Sequence, residues 1–142
     1  MTYLLDTSIV IGLLREMPTI VKKYIQLPSN RSKVITVYSL TELFEGIYKI
    51  SNPKKRDAQL KILNLIINYF TKIDGILALT IAQAEKYAQL KIALDKKGTP
   101  IPVIDLLIGT IAIERQLILL TTDHLHFQKL KAITPQLKVE FW

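Results

Sequence analysis

The chain holds only twelve Asp and Glu residues in 142 positions, and four of them, Asp6, Glu42, Asp105 and Asp123, stand where apolar segments begin or end. Asp6 closes the run Tyr3-Leu4-Leu5, and Asp123 follows Leu117-Ile118-Leu119-Leu120-Thr121. Glu42 and Asp105 fall in the first turns of apolar helical segments. Carboxylates gathered at one place repel and resist ionisation, so such a group ordinarily needs cations to be stable. Oxygen-rich ligation suits Mg²⁺ or Mn²⁺, and with no cysteine and two histidines the chain offers almost none of the softer donors that zinc prefers. Ions of this kind position a water, lower its pKa and neutralise charge building on a phosphate, which is phosphodiester hydrolysis without a histidine base. Each acid also has a purely structural reading. Asp6 can cap a helix, Glu42 can serve the Ser39-x-x-Glu42 capping box, Asp105 can favour a helix dipole, and Asp123 can be a turn or N-cap residue.

The elements that must position these acids follow from pattern. Asp6-Thr7-Ser8 reads as a tight turn from a strand into a helix over Ile9 to Leu14, and Pro18 opens a second helix through Ile25. Val34 to Tyr38 is apolar and β-branched, a second strand that runs into a helix starting at the Ser39 capping box and lasting to about Ile50, where Asn52-Pro53 ends it. From Asp57 to Ile73 the residues Leu60, Leu63, Ile67 and Phe70 keep a helical spacing. Ile76 to Leu79 reads as a short strand, and Thr80-Ile81-Ala82-Gln83 opens a helix that Gly98 stops. Val103 to Gln116 is a mostly apolar helix, Leu117 to Thr121 a strand buried on both faces, and Lys138 to Trp142 a last edge strand. Strands alternating with helices give an α/β fold with a central, mainly parallel sheet flanked by helices, whose ligands sit beyond the carboxyl ends of the strands.

Bulk properties agree. A chain of 142 residues fits one domain, residues 1-142, able to bury roughly two-thirds of its unfolded surface. The 49% apolar content and mean hydropathy of +0.26 suit a sheet covered on both faces. No run is long enough to span a membrane, because Ile101 to Ile113 is interrupted by Pro102 and Asp105, and the N-terminus lacks a basic leader, so a cytoplasmic location is expected. The formal charge of +7, with clusters such as Lys54-Lys55-Arg56, favours a polyanionic partner.

Taken together, Leu5-Asp6-Thr7-Ser8, Ser39-Leu40-Thr41-Glu42-Leu43 with Gly46, Pro102 to Ile108 around Asp105, and Thr121-Thr122-Asp123 with Phe127 resemble the four acidic motifs of PIN-domain nucleases, and especially of VapC-type toxins. The likeness extends over nearly the whole chain. It implies a PIN-like three-layer fold in which Asp6, Glu42, Asp105 and Asp123 bind metal and are catalytic, while Ser8 and Thr121 are supporting hydroxyls. It further implies a Mg²⁺-dependent endoribonuclease, with Mn²⁺ able to substitute, acting on RNA, forming a homodimer, and held inactive by a VapB-type antitoxin. The family pattern selects Glu42 over the nearby Glu45. His124 and His126 match no ligand position of the family and are expected to be structural, so that replacing both with Ala costs less than about tenfold in rate.

Neighbouring enzyme classes fit less well. A haloacid-dehalogenase phosphatase needs a second Asp where Ser8 stands, and a receiver domain needs an acidic pair near the N-terminus. A housekeeping PIN nuclease that processes RNA without an antitoxin, or a PIN-like module that binds RNA or protein without cutting, stay as the alternatives.

Overall fold

The computed structural model describes all of residues 1–142. In chain order the elements are β1 (Tyr3–Leu5), α1 (Thr7–Leu14), α2 (Pro18–Gln26), β2 (Lys33–Thr36), α3 (Val37–Tyr48), α4 (Pro53–Lys72), β3 (Ile76–Leu77), α5 (Ile81–Lys97), α6 (Val103–Glu114), β4 (Ile118–Thr121), α7 (His124–Ile133) and β5 (Lys138–Phe141). The strands make one sheet in the order β3-β2-β1-β4-β5, parallel at every pairing.

Alternation along the strands divides the core into two layers, as side chains of period two must. Leu4, Val34 and Leu119 face one side, where α5, α6 and α7 bring Leu90, Leu94, Leu106 and Phe127 against them. Tyr3, Leu5, Ile35 and Leu120 face the other, covered by Ile9, Leu43, Leu63 and Phe70 from α1, α3 and α4. The result is the expected three-layer α/β arrangement. From β1 the chain moves outward to β2 and β3 and later returns to β4 on the opposite side, so the strand order reverses at β1. In open parallel sheets the crevice outside the strand ends at such a reversal is where ligands bind.

Several local signals act as read. Thr80 and Gln83 form the reciprocal capping box of α5, and Gly98 ends it in the left-handed conformation at φ 73°. Pro18 occupies the first turn of α2. Several boundaries differ by two residues or more, as where the strand expected over Ile76 to Leu79 ends at Leu77. The expected strand Val34 to Tyr38 stops at Thr36, and the Ser39-Glu42 capping box does not form: Thr36 Oγ1 accepts the Ser39 N–H at 3.1 Å, so Thr36 is the cap and Ser39 and Glu42 lie inside α3. Val37 is 37% exposed in the first helical turn, a position that a strand buried on both faces would not leave open. Similarly, Asn52-Pro53 does more than end α3. Asn52 Oδ1 accepts the Lys55 N–H at 3.1 Å and Pro53 fills the first turn, so α4 begins four residues ahead of Asp57.

Because Thr36 both closes a core strand and caps the helix that carries Glu42, Thr36→Ala should lower the unfolding free energy by about 0.5–2 kcal/mol, measured by urea denaturation. A neutral Thr36→Ala would return the cap to Ser39.

Candidate active site

Register explains how distant acids come to the same edge of the sheet. Leu4 pairs with Val34 and Leu119, and Leu5 with Leu120, so one residue further along, Asp6, Thr36 and Thr121 stand level across the three central strands. Asp6 is the N-cap residue of α1, but its side chain makes no capping bond. Its Oδ2 instead accepts from Thr121 Oγ1 at 2.6 Å and from Ser8 Oγ at 3.1 Å, and the residue is 4% exposed. Thr121 Oγ1 also accepts the Asp123 N–H at 2.9 Å, tying the ends of β1 and β4 together. Ser8 Oγ accepts the Thr122 N–H at 3.1 Å. The two hydroxyls therefore brace Asp6 and the turn that carries Asp123.

Glu42 arrives from the second turn of α3. Its Oε1 accepts from Thr7 Oγ1 at 2.6 Å, and Thr7 Oγ1 is also 3.0 Å from Ser39 Oγ, which connects to the Thr36 cap. The sequence places Thr7 only in the tight turn Asp6-Thr7-Ser8. Its signal was its place directly after Asp6, at the first position of a helix whose N-terminus faces the acids.

On the other side of the crevice, Asp105 occupies the first turn of α6 and Asp123 caps α7, accepting the His126 N–H on Oδ1 at 3.0 Å. The two helices meet closely because α6 carries Gly109, where a Cβ would lie 2.3 Å from the fully buried Leu130 of α7. Gly109 and Leu130 are each one turn beyond Asp105 and His126, so the same approach brings those two side chains together. His126 Nδ1 lies 2.8 Å from Asp105 Oδ2 and 2.6 Å from Asp123 Oδ2. One donor atom from each of Asp105, Asp123 and His126 falls within 4.8 Å of the others. His126, expected from the sequence to be structural, therefore touches two of the four acids. Helix geometry set it there: as the third residue of α7 it projects back toward its own cap. His124 turns instead to stack on Phe141, with ring centroids 4.6 Å apart.

The electrostatics reflect crowding. Burial pushes the Asp6 carboxyl upward, with the Glu42 charge adding to it against the bonds from Thr121 and Ser8. Asp105 is pushed up to about 6, by burial first, then by the charges of Asp6 and Asp123, with His126 opposing. No Lys or Arg forms an ion pair with any of the four acids; the ion pairs of the structure are Lys49–Glu45, Lys91–Asp95 and the two contacts of His126. A set of hard oxygen donors whose only opposing charge comes from one imidazole fits a divalent cation.

These shifts set a pH dependence for the metal-free protein. An acid whose folded pKa lies above its unfolded value holds a proton in the folded state that the unfolded chain has already released, so stability falls as pH rises through that interval. Without divalent cations the melting temperature should therefore drop between about pH 4 and pH 6, the range separating an ordinary Asp from Asp105 here. Asp105→Asn should flatten the drop, measured by calorimetry in EDTA. An unchanged slope in Asp105→Asn would show that the crowding lies elsewhere.

A PIN domain family model matches residues 3–132. Among curated proteins, the chain is 27% identical over 131 residues to Ribonuclease VapC1 of Haemophilus influenzae, in strains R2866 and 86-028NP, covering 92% of each chain. Among solved structures, it superposes on VapBC-1 from nontypeable Haemophilus influenzae with a TM-score of 0.78 and 26% identity, over 100% of this chain and 98% of that one. FitAcB from Neisseria gonorrhoeae gives 0.83 and 24%, covering 99% and 97%, and VapBC2 from Rickettsia felis, bound to a promoter DNA fragment, gives 0.79 and 24%, covering 100% and 99%. The last two likenesses are of fold. With the family model spanning all five acidic and imidazole groups of the crevice and every strand but β5, the chain belongs to the PIN-domain family.

Proposed function

We propose that this chain is a Mg²⁺- or Mn²⁺-dependent endoribonuclease and the toxin of a VapBC-type toxin–antitoxin pair. The observation that carries the reading is that Asp105 and Asp123 cluster with His126, that the charges of Asp6 and Glu42 also reach Asp105, and that no Lys or Arg is ion-paired with any of the four acids. A bound divalent cation would supply Lewis acidity, activating water and neutralising charge on the scissile phosphate. The residues of the chain do the rest. Asp105 and Asp123 present oxygens from two helix N-termini. Asp6, immobilised by Thr121 and Ser8, presents its carboxylate from the floor of the crevice, and Glu42, held by Thr7, closes the α3 side. Basic side chains such as Arg15 and Lys55, which line a cleft of about 490 Å³ with Glu42 on its wall, hold the RNA backbone. That contribution weakens as salt rises.

An antitoxin partner suits the surface. Leu13, Leu14, Tyr24, Ile62, Leu65 and Tyr69 are among the residues lining a groove of about 580 Å³ between α1, α2 and α4, and Leu65 and Tyr69 are 68% and 54% exposed. An apolar peptide segment laid there, followed by a basic side chain reaching the acids, would oppose both cation and RNA binding. The VapBC complexes among the similar structures favour this partner. A homodimer is part of the same proposal.

Asp6→Asn should reduce RNA cleavage to the level seen in EDTA while leaving the fold intact, tested with purified protein on structured RNAs in Mg²⁺, Mn²⁺ or EDTA. Wild-type cleavage by Asp6→Asn, or cleavage undiminished by EDTA, would contradict the assignment. Expression of the chain alone should arrest a bacterial host, and co-expression of its neighbouring gene product should restore growth. A protein that cuts RNA but is harmless when expressed alone is the housekeeping nuclease instead.

A further inference from the structure

His126 belongs to no acidic motif, yet it makes the shortest contacts to the acids on the α6–α7 side. Its Nδ1 lies 2.6 Å from Asp123 Oδ2 and 2.8 Å from Asp105 Oδ2. An imidazole carries at most one hydrogen on Nδ1, and one N–H cannot point along two directions at once. If it serves one carboxylate well, the other oxygen faces nitrogen with little between them. A cation shared by all three atoms removes that conflict. Adjacent ligands of one ion with bonds of about 2.0–2.2 Å sit about 3 Å apart, close to the spacing already present here. The placement is also fixed from behind. Asp123 spends Oδ1 on the His126 N–H, leaving Oδ2 for the crevice, and the Gly109–Leu130 approach locks α7 against α6 one turn away.

We propose that His126 is a direct ligand, through Nδ1, of a divalent cation held with Asp105 and Asp123, and that this nitrogen donor tilts the site toward Mn²⁺ over Mg²⁺. The inference rests on the cation-dependent part of the proposed function and not on RNA cleavage. Asp105 and Asp123 supply hard oxygens that both ions accept. Imidazole adds more for a transition ion than for Mg²⁺, which prefers water and carboxylate to nitrogen. His124, two residues earlier on the same helix, provides the internal control, because its ring is occupied with Phe141.

The test uses the full chain, stripped with EDTA and loaded with Mn²⁺ alone. Electron spin echo envelope modulation of the bound Mn²⁺ should show coupling to an imidazole ¹⁴N in wild type and in His124→Ala, and none in His126→Ala. Calorimetric titration should find Mn²⁺ affinity reduced about tenfold or more in His126→Ala, with a clearly smaller loss for Mg²⁺. Bound Mn²⁺ without nitrogen coupling in the wild-type protein overturns the proposal by itself, so it is decided even if His126→Ala fails to fold. Equal losses for the two ions overturn the selectivity, and no Mn²⁺ binding overturns the site. Nitrogen coupling without RNA cleavage would leave this inference standing and remove the nuclease, whereas cleavage with an all-oxygen Mn²⁺ signal would do the reverse.

Discussion

The burial of carboxylates close to one another is the constraint on which the rest of this structure depends. Asp105, raised to about 6 first by burial and then by the charges of Asp6, Asp123 and Glu42, records the stability this costs the metal-free fold. Nothing basic other than His126 offsets it. The scaffold must therefore be rigid enough to hold the acids where they resist being held. Two core layers, one on each face of the sheet, supply that rigidity.

The acids are held by different means, and the differences follow from where each enters. Asp6 leaves the most buried strand and is fixed by side-chain hydroxyls of its neighbours in register and in sequence. Glu42 leaves the interior of a helix and reaches Thr7 on another. Asp105 and Asp123 stand at helix N-termini, where unpaired backbone N–H groups favour negative charge. Thr121 joins the two halves by giving its hydrogen to Asp6 and accepting from Asp123 N–H. A parallel sheet makes this possible, because all its carboxyl ends, and the helices that follow them, open on the same edge.

Much of this was legible in the sequence. The apolar runs ending at Asp6 and before Asp123, the Thr80–Gln83 box and Gly98 act through contacts between near neighbours, and such signals survive folding. What misled was a local signal overruled by a tertiary one. Ser39-x-x-Glu42 has the form of a capping box, but Thr36, fixed by sheet register, caps the helix earlier and frees Glu42 for the crevice. His126 was illegible for a different reason. Its contact with Asp105 depends on how closely α6 and α7 approach, which is set by a glycine twenty-one positions before Leu130, and no spacing rule within α7 alone reports that.

The central claim is that these acids form one cation site at the end of β1 and β4. Anomalous diffraction from crystals grown with Mn²⁺, recorded at the manganese edge, tests it most directly. The account predicts a peak within the crevice bounded by Asp6, Asp105 and Asp123. Fully bound crystals whose only peaks lie at other acids, such as Glu45 or Asp95, with the four carboxylates unliganded, would contradict it.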